Sequence, residues 1–257
     1  MRKVAGRWGR AMVLGATLVA GSGWAQAAEV KLLGAGAVRA IVTELAQAFE
    51  KETDHKVTMV FGPVGVTRQR LARDPADIVI MTDVAIDDAI KQGGVVAGTR
   101  ADIARTGMGL GVREGAARPD ISTSEALKRS LLAAKSIVYV DPAQGATSGV
   151  YFAKLLQTWG IADAMKPKTT LVPGGYPAEL VAKGDVEMVV HQISEIVPVK
   201  GVALVGPLPK DVQLVTTYSA GIATKSTAPE AARAFVAYLT ASSVRPKFAA
   251  AGLDYKE

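Results

Sequence analysis

The side chains of this 257-residue chain that could do polar chemistry are few and unevenly placed. It contains two histidines and no cysteine, so disulfides, thiolate metal ligation and a thiol nucleophile are excluded. His55 sits in the polar stretch Glu52-Thr-Asp-His-Lys56 and is expected to be solvent-exposed. His191 ends the apolar run Met188-Val-Val190 and precedes Gln192, Ser194 and Glu195. Facing a cleft it could donate to a ligand or act as a base with a pKa of about 6.5; facing away it would be a satisfied residue at a strand end. Arg39 follows the small-residue turn Gly34-Ala-Gly-Ala37, and Arg68 and Arg70 follow the turn Gly62-Pro-Val-Gly65. A guanidinium beside such a turn suits two-point capture of a carboxylate. On a helix surface, Arg39 and Arg70 would pair instead with Glu44 or Asp74. No Ser-His-Asp spacing, P-loop or metal-ligating histidine cluster can be assembled, and the GAGAV and TGMGLGV runs lack the order of a dinucleotide fingerprint. Neither a metal nor a cofactor is expected.

The elements that would position these residues alternate strand and helix. Val30 to Leu33 reads as a buried strand, and Val38, Ile41, Val42, Leu45 and Phe49 then fall on one helical face. Lys56 to Phe61, a short helix from Val66 to Arg73, and Asp77 to Met81 complete a βαβαβ order with continuous apolar strands, which implies a parallel sheet covered on both faces. The pattern resumes with a helix through Leu132, for which Ser122 and Glu125 form a capping box. The strand Ile137 to Val140 follows, then a turn from Asp141 to Thr147 and a helix burying Phe152, Leu155, Leu156 and Trp159. Further strands are read at 169–172, 187–190 and 214–223, with helices at 178–182 and 229–239. Arg105 to Val112 and Thr217 to Gly221 are extended and glycine-bearing, as expected of two crossovers between lobes.

The N-terminus reads as an export leader. Arg2, Lys3, Arg7 and Arg10 form a basic start, Ala11 to Ala20 an apolar core, and Ala25-Gln26-Ala27 a small-x-small cleavage site. That apolar core is too short to span a bilayer, which takes about 20 residues. Cleavage at Ala27/Ala28 would deliver the protein to the periplasm. The chain carries 30 Lys and Arg against 24 Asp and Glu; removing the four basic residues of the leader leaves 26 against 24. No basic field then remains to argue for nucleic acid.

The run GAGAVRAIVTELAQAFEKETDHKVTMVFGPVG, followed by PADIVIMTD, resembles the opening of the molybdate-binding periplasmic proteins of ABC importers. VDPAQGATSGVYFAKLL and LVAKGDVEMVV are similar to second-lobe segments of the same family. The resemblance spans essentially the whole chain after the leader. It implies the two-lobed α/β type II periplasmic binding fold, with lobe one at 28–107 and 219–257, lobe two at 108–218, and a cleft between them. Each lobe would be a mainly parallel sheet flanked by helices. Such a protein works as a monomer with a small anion and an ABC permease as partners.

In such a fold, ligands are gripped by strand-to-helix turns whose N–H groups favour an anion. The resemblance therefore puts ligand contacts at Ala35, Gly36, Ala37, Arg39, Val64, Gly65, Arg68, Gln144, Thr147, Ser148, Gly175, Tyr176, His191 and Gln192. The family's serines in the first two turns are absent here, and His191 or Gln192 stands where it has a tyrosine. With arginines beside both depleted turns, an organic di- or tricarboxylate is expected in preference to molybdate, with Arg68 as the foremost contact. The related aconitate isomerases imply an alternative, in which His191, Asp83 or Glu195 acts as the base of an allylic proton shift.

Overall fold

The computed structural model describes residues 27–254; the leader expected at the N-terminus lies outside the described residues. The elements run β1 (Glu29–Ala35), α1 (Arg39–Thr53), β2 (Lys56–Gly62), α2 (Val64–Arg73), β3 (Ile78–Thr82), α3 (Asp83–Lys91) and β4 (Ala101–Arg113). Then come α4 (Ser124–Ala133), β5 (Ile137–Val140), α5 (Thr147–Thr158), α6 (Ala162–Met165), β6 (Thr169–Val172), α7 (Ala178–Lys183), β7 (Met188–Gln192) and α8 (Ile193–Ile196). The chain closes with β8 (Val202–Pro207), β9 (Val215–Ile222), α9 (Pro229–Thr240) and α10 (Arg245–Ala250). No helix among the described residues is long and apolar enough to cross a membrane.

Strand order is β2-β1-β3-β9-β4-β7-β5-β6, with β8 also on β4. The β1–β2, β1–β3, β5–β6 and β5–β7 pairs are parallel, while β9 runs antiparallel to β3. Long β4 belongs to both halves: up to Gly107 it pairs with β9, and from Met108 with β7. The two glycine-bearing runs therefore lie side by side, with Thr106 opposite Thr216.

Alternation along the strands explains the helices on both faces. Ile78 and Ile80 of β3 join the core under α1 and α9, whereas Val79 and Met81 join that under α2 and α3. In the other half, Ile137 and Tyr139 face α4, α5 and α6, while Val138 packs with Val181 of α7 and Ile196 of α8. A period of two with both faces apolar is the pattern of a doubly covered sheet. The glycines of the TGMGLGV run serve this packing. A Cβ on Gly109 would come within 2.8 Å of the Ile193 side chain, and one on Gly111 within 2.9 Å of Ile196, so only bare backbone lets α8 settle onto β4.

Asp77, at the entry to β3, ties distant segments together. One carboxylate oxygen accepts from Lys31 N–H at 2.8 Å. The other accepts from the Ser226 hydroxyl and from the N–H groups of Thr227 and Ala228 ahead of α9. Burial would raise its pKa, but the hydrogen bonds from Lys31, Ser226, Ala228 and Thr227 outweigh that and hold the carboxyl below its ordinary value.

Two expectations are corrected. The cap of α4 is Thr123, whose hydroxyl accepts from Ala126 N–H at 3.1 Å, while the Ser122 hydroxyl is drawn to Asp120 at 2.7 Å. His55 is buried rather than exposed: its ring stacks on Phe49 and its Nδ1 accepts from Ala28 N–H at 3.1 Å. The preceding helix ends at Asp54 in the left-handed conformation, which turns the next residue inward.

Candidate functional site

Five chain turns converge where the two halves meet. From the first sheet come Ala35 and Gly36 after β1 and Gly62, Pro63 and Val64 after β2, with Arg39 at the start of α1. From the second come Val140 at the end of β5, Ala146, Thr147 and Ser148 at the start of α5, and Gly174 and Gly175 before α7. His191, Gln192 and Glu195, from the turn between β7 and α8, complete the lining. The walls are close: Gly65 N–H donates to Gly145 O across them at 3.2 Å, and the cavity left between them is about 30 Å³. Gly174 and Gly175 both have positive φ, and a Cβ on Gly174 would approach Pro63 at 3.3 Å, so that turn needs glycine for its shape and its closeness.

Capping separates two of these helices from α3 and α4. The residues ahead of α2 and α5, Pro63 and Ala146, make no side-chain cap bond, which leaves their first-turn N–H groups, apart from that of Gly65 already given to Gly145 O, to serve an anion. Helices α3 and α4, away from the cleft, are capped by the Thr82 and Thr123 hydroxyls.

Arg39 is the cation of the cleft wall. Its guanidinium lies 5.8 Å from the Phe61 ring centre and 5.3 Å from that of Tyr176. Tyr176 belongs to the second wall, so this stack spans the cleft. Burial raises the Tyr176 pKa, Arg39 opposes that, and Glu195 and Glu179 add to it.

Ser148, His191 and Glu195 form a buried chain. Ser148 Oγ is 2.9 Å from His191 Nδ1, and His191 Nε2 is 3.2 Å from Glu195 Oε2. The latter contact is off the hydrogen-bond direction, so Nε2 has no hydrogen-bond partner among the described residues. The direct passage from β7, which holds His191, into the one-turn helix α8, which holds Glu195, brings these two residues four apart in sequence together. Behind them, Gln192 accepts from the Tyr218 hydroxyl at 2.8 Å and donates to the Thr216 hydroxyl at 3.4 Å. Complete burial, then the Glu195 charge, push the Tyr218 pKa strongly up despite the bond to Gln192, so its hydroxyl stays protonated as a donor.

Of the residues expected at the site, Ala35, Gly36, Arg39, Val64, Thr147, Ser148, Gly175, His191 and Gln192 line the cleft together with Glu195. Ala37 is turned into the core of the first sheet. Gly65 and Gln144 lie beside the wall-to-wall bond, where a Cβ on Gly65 would meet Gln144 O at 2.9 Å, and Tyr176 lies under Arg39. Asp83, the first residue of α3, accepts from Val84 N–H at 2.8 Å and lies outside the lining. Arg68 is displaced most: it pairs with Asp88 of α3 at 3.4 Å and lines a separate hollow with Leu71 and Lys225. The cause is helix phase. Thr67 is buried, with its hydroxyl donating to Pro63 O, and the next residue is rotated by about 100° toward α3. Arg70 pairs with Asp74 at 3.4 Å, whereas Glu44 is taken by Lys247. Ser148 with His191 and Glu195 was the grouping that sequence spacing concealed. No group of three or more metal-ligating side chains occurs among the described residues.

Comparison with known proteins gives a consistent placement. The chain is 34% identical over 252 residues to an aconitate isomerase of Pseudomonas sp, covering 94% of this chain and 95% of that protein. It is 30% identical over 237 residues to the molybdate-binding protein ModA of Azotobacter vinelandii, covering 89% and 90%. The solved periplasmic molybdate-binding protein of Azotobacter vinelandii superposes with a TM-score of 0.74 at 18% identity, over 89% of this chain and 100% of that one. The fold is therefore the two-lobed type II periplasmic binding fold. A profile described as bacterial extracellular solute-binding protein matches residues 30–254, and the chain belongs to that family.

Proposed function

We propose that this protein is a periplasmic receptor that captures a small organic di- or tricarboxylate between its lobes and passes it to an ABC-type permease. The observation that carries the reading is Arg39, a guanidinium on the cleft wall with no ion pair among the described residues, placed over the Tyr176 ring and beside uncapped helix N-termini. A planar fork fixed in this way matches a carboxylate at two points. The leader supports the periplasmic location, with cleavage at Ala27/Ala28. The receptor acts as a monomer, with lobes at 28–107 plus 219–257 and at 108–218. They hinge where β4 and β9 run side by side, a pairing that begins at Val215, ahead of the limit at residue 219. Thermal-shift screening of citrate, both aconitates, molybdate, tungstate and sulfate tests the reading. A carboxylate at one hundred times its Kd should add about 2.7 kcal/mol of stability; tight binding of molybdate in preference to every carboxylate would overturn it.

The Ser148–His191–Glu195 chain, with the identity to an aconitate isomerase, favours a second reading on the same site. In it the cleft interconverts cis- and trans-aconitate. A base removes the methylene proton, the double bond shifts, and a proton returns to the other allylic carbon, so no co-reactant is consumed. His191, between a hydroxyl and a carboxylate, is the group placed to carry that proton. Incubation with either isomer should then produce the other, and His191→Ala should lower turnover by about 10² to 10⁴. No conversion beyond buffer would dispose of this reading.

A further inference from the structure

We infer that Glu195 is a specificity-determining residue: its carboxylate accepts a hydrogen bond from the ligand, so the cleft takes anions that carry a donor and turns away acceptor-only oxyanions. The inference rests on the anion-receptor reading above and narrows it to hydroxycarboxylates and half-protonated carboxylic acids.

The geometry is unusual for an anion site. The Glu195 side chain is only 9% exposed. One oxygen lies near His191 Nε2, and the other lies 2.8 Å from where a Cβ on Gly36 would sit, pointing across the cleft at the opposite wall. No donor bonds to either oxygen among the described residues. The groups around it are His191 with Ser148 behind it, Arg39 and Tyr176 on the cleft walls, Glu179 beyond Tyr176, and Tyr218, whose hydroxyl is committed to Gln192. A ligand bound to Arg39 and the helix N-termini thus meets a buried carboxylate with open lone pairs. A buried acceptor is satisfied only by a donor, and two carboxylates or a carboxylate and an oxyanion at such range repel unless a proton lies between them. A hydroxyl or protonated carboxyl on the ligand supplies that proton. An acceptor-only dianion supplies none and is turned away.

The test is calorimetric titration of the purified protein with citrate, tricarballylate, which lacks the hydroxyl, and sulfate, at pH 8, in wild type and Glu195→Gln. Wild type should prefer citrate over tricarballylate by at least about tenfold. Glu195→Gln should bind sulfate more tightly than wild type. Equal wild-type affinities for citrate and tricarballylate overturn the role of Glu195 while leaving the receptor reading intact. Silence from all three anions in both proteins overturns the reading and the inference together. The wild-type comparison decides the matter even if the variant fails to fold.

Discussion

Replacing Arg39 by alanine should weaken capture of an organic polycarboxylate by about 2 to 4 kcal/mol. The larger part is the lost charge-assisted pair, about 1.5 to 3 kcal/mol. The smaller is the cation–π contact with Tyr176, 5.3 Å from guanidinium to ring centre, worth about 0.5 to 1 kcal/mol at a partly exposed site. Because that ring stands on the opposite wall, its contact with Arg39 also helps hold the cleft shut. Together these predict a Kd increased roughly 30- to 1000-fold. Since Arg39 makes no ion pair within the described residues, folding should lose only the ring contacts, about 1 kcal/mol. Arg39→Lys, which keeps the charge and loses the planar fork, should fall between. Calorimetric titration with citrate, alongside thermal melts, reads both quantities. An Arg39→Ala affinity within about threefold of wild type would refute the reasoning, because the cleft would then hold its anion through backbone N–H groups alone.

Arg68→Ala should leave citrate affinity unchanged within about twofold, since its exposed pair with Asp88 is worth under about 1 kcal/mol and lies outside the cleft; a large loss in titration would return Arg68 to the site. Asp77→Asn should cost about 2 to 3 kcal/mol, because an amide cannot accept from both Lys31 N–H and the Ser226–Ala228 group, and the melting temperature should fall by about 5 to 10 °C. The depressed Asp77 carboxyl contributes stability that is fully present above the unfolded value of about 3.9 and is lost as pH falls through the lower folded value. Wild type should therefore lose stability below about pH 4, in an acid titration followed by circular dichroism, more steeply than Asp77→Asn. Gly149→Ala would drive a Cβ to 2.1 Å from Val140 O, so α5 must lift off β5; a loss of about 3 kcal/mol or more is expected, measured by urea denaturation.

Periodicity carried most of the architecture. The apolar spacing of α1, α5 and α9 and the continuous runs of β1, β3, β5 and β7 were legible because each buries a face that local sequence must supply. The two glycine-bearing runs were readable as extended segments, although Gly109 and Gly111 of the first serve the approach of α8 to β4, a tertiary reason invisible in one dimension. Elements such as α8 and β8 were not foreseen: four residues of helix show no repeat, and β8 is a partly exposed strand. The site was legible at the level of its turns and not of its side chains. Arg68 and Arg39 look equivalent beside their turns, and only the phase of α2, set by buried Thr67, sends one away. Ser148 and His191 lie 43 residues apart in sequence, and no spacing rule links the start of one helix to the end of a strand four elements later.

The first strand has a direction with a practical consequence. It starts at Glu29, next to the His55-bonded Ala28, and ends at Ala35 on the cleft wall, so the two ends of β1 are about 20 Å apart at about 3.3 Å per residue. The described residues therefore begin at the pole remote from the cleft. A tether fused there would anchor the protein to a surface with its opening facing the solution, which suits an immobilised anion sensor whose signal is the closing of the walls.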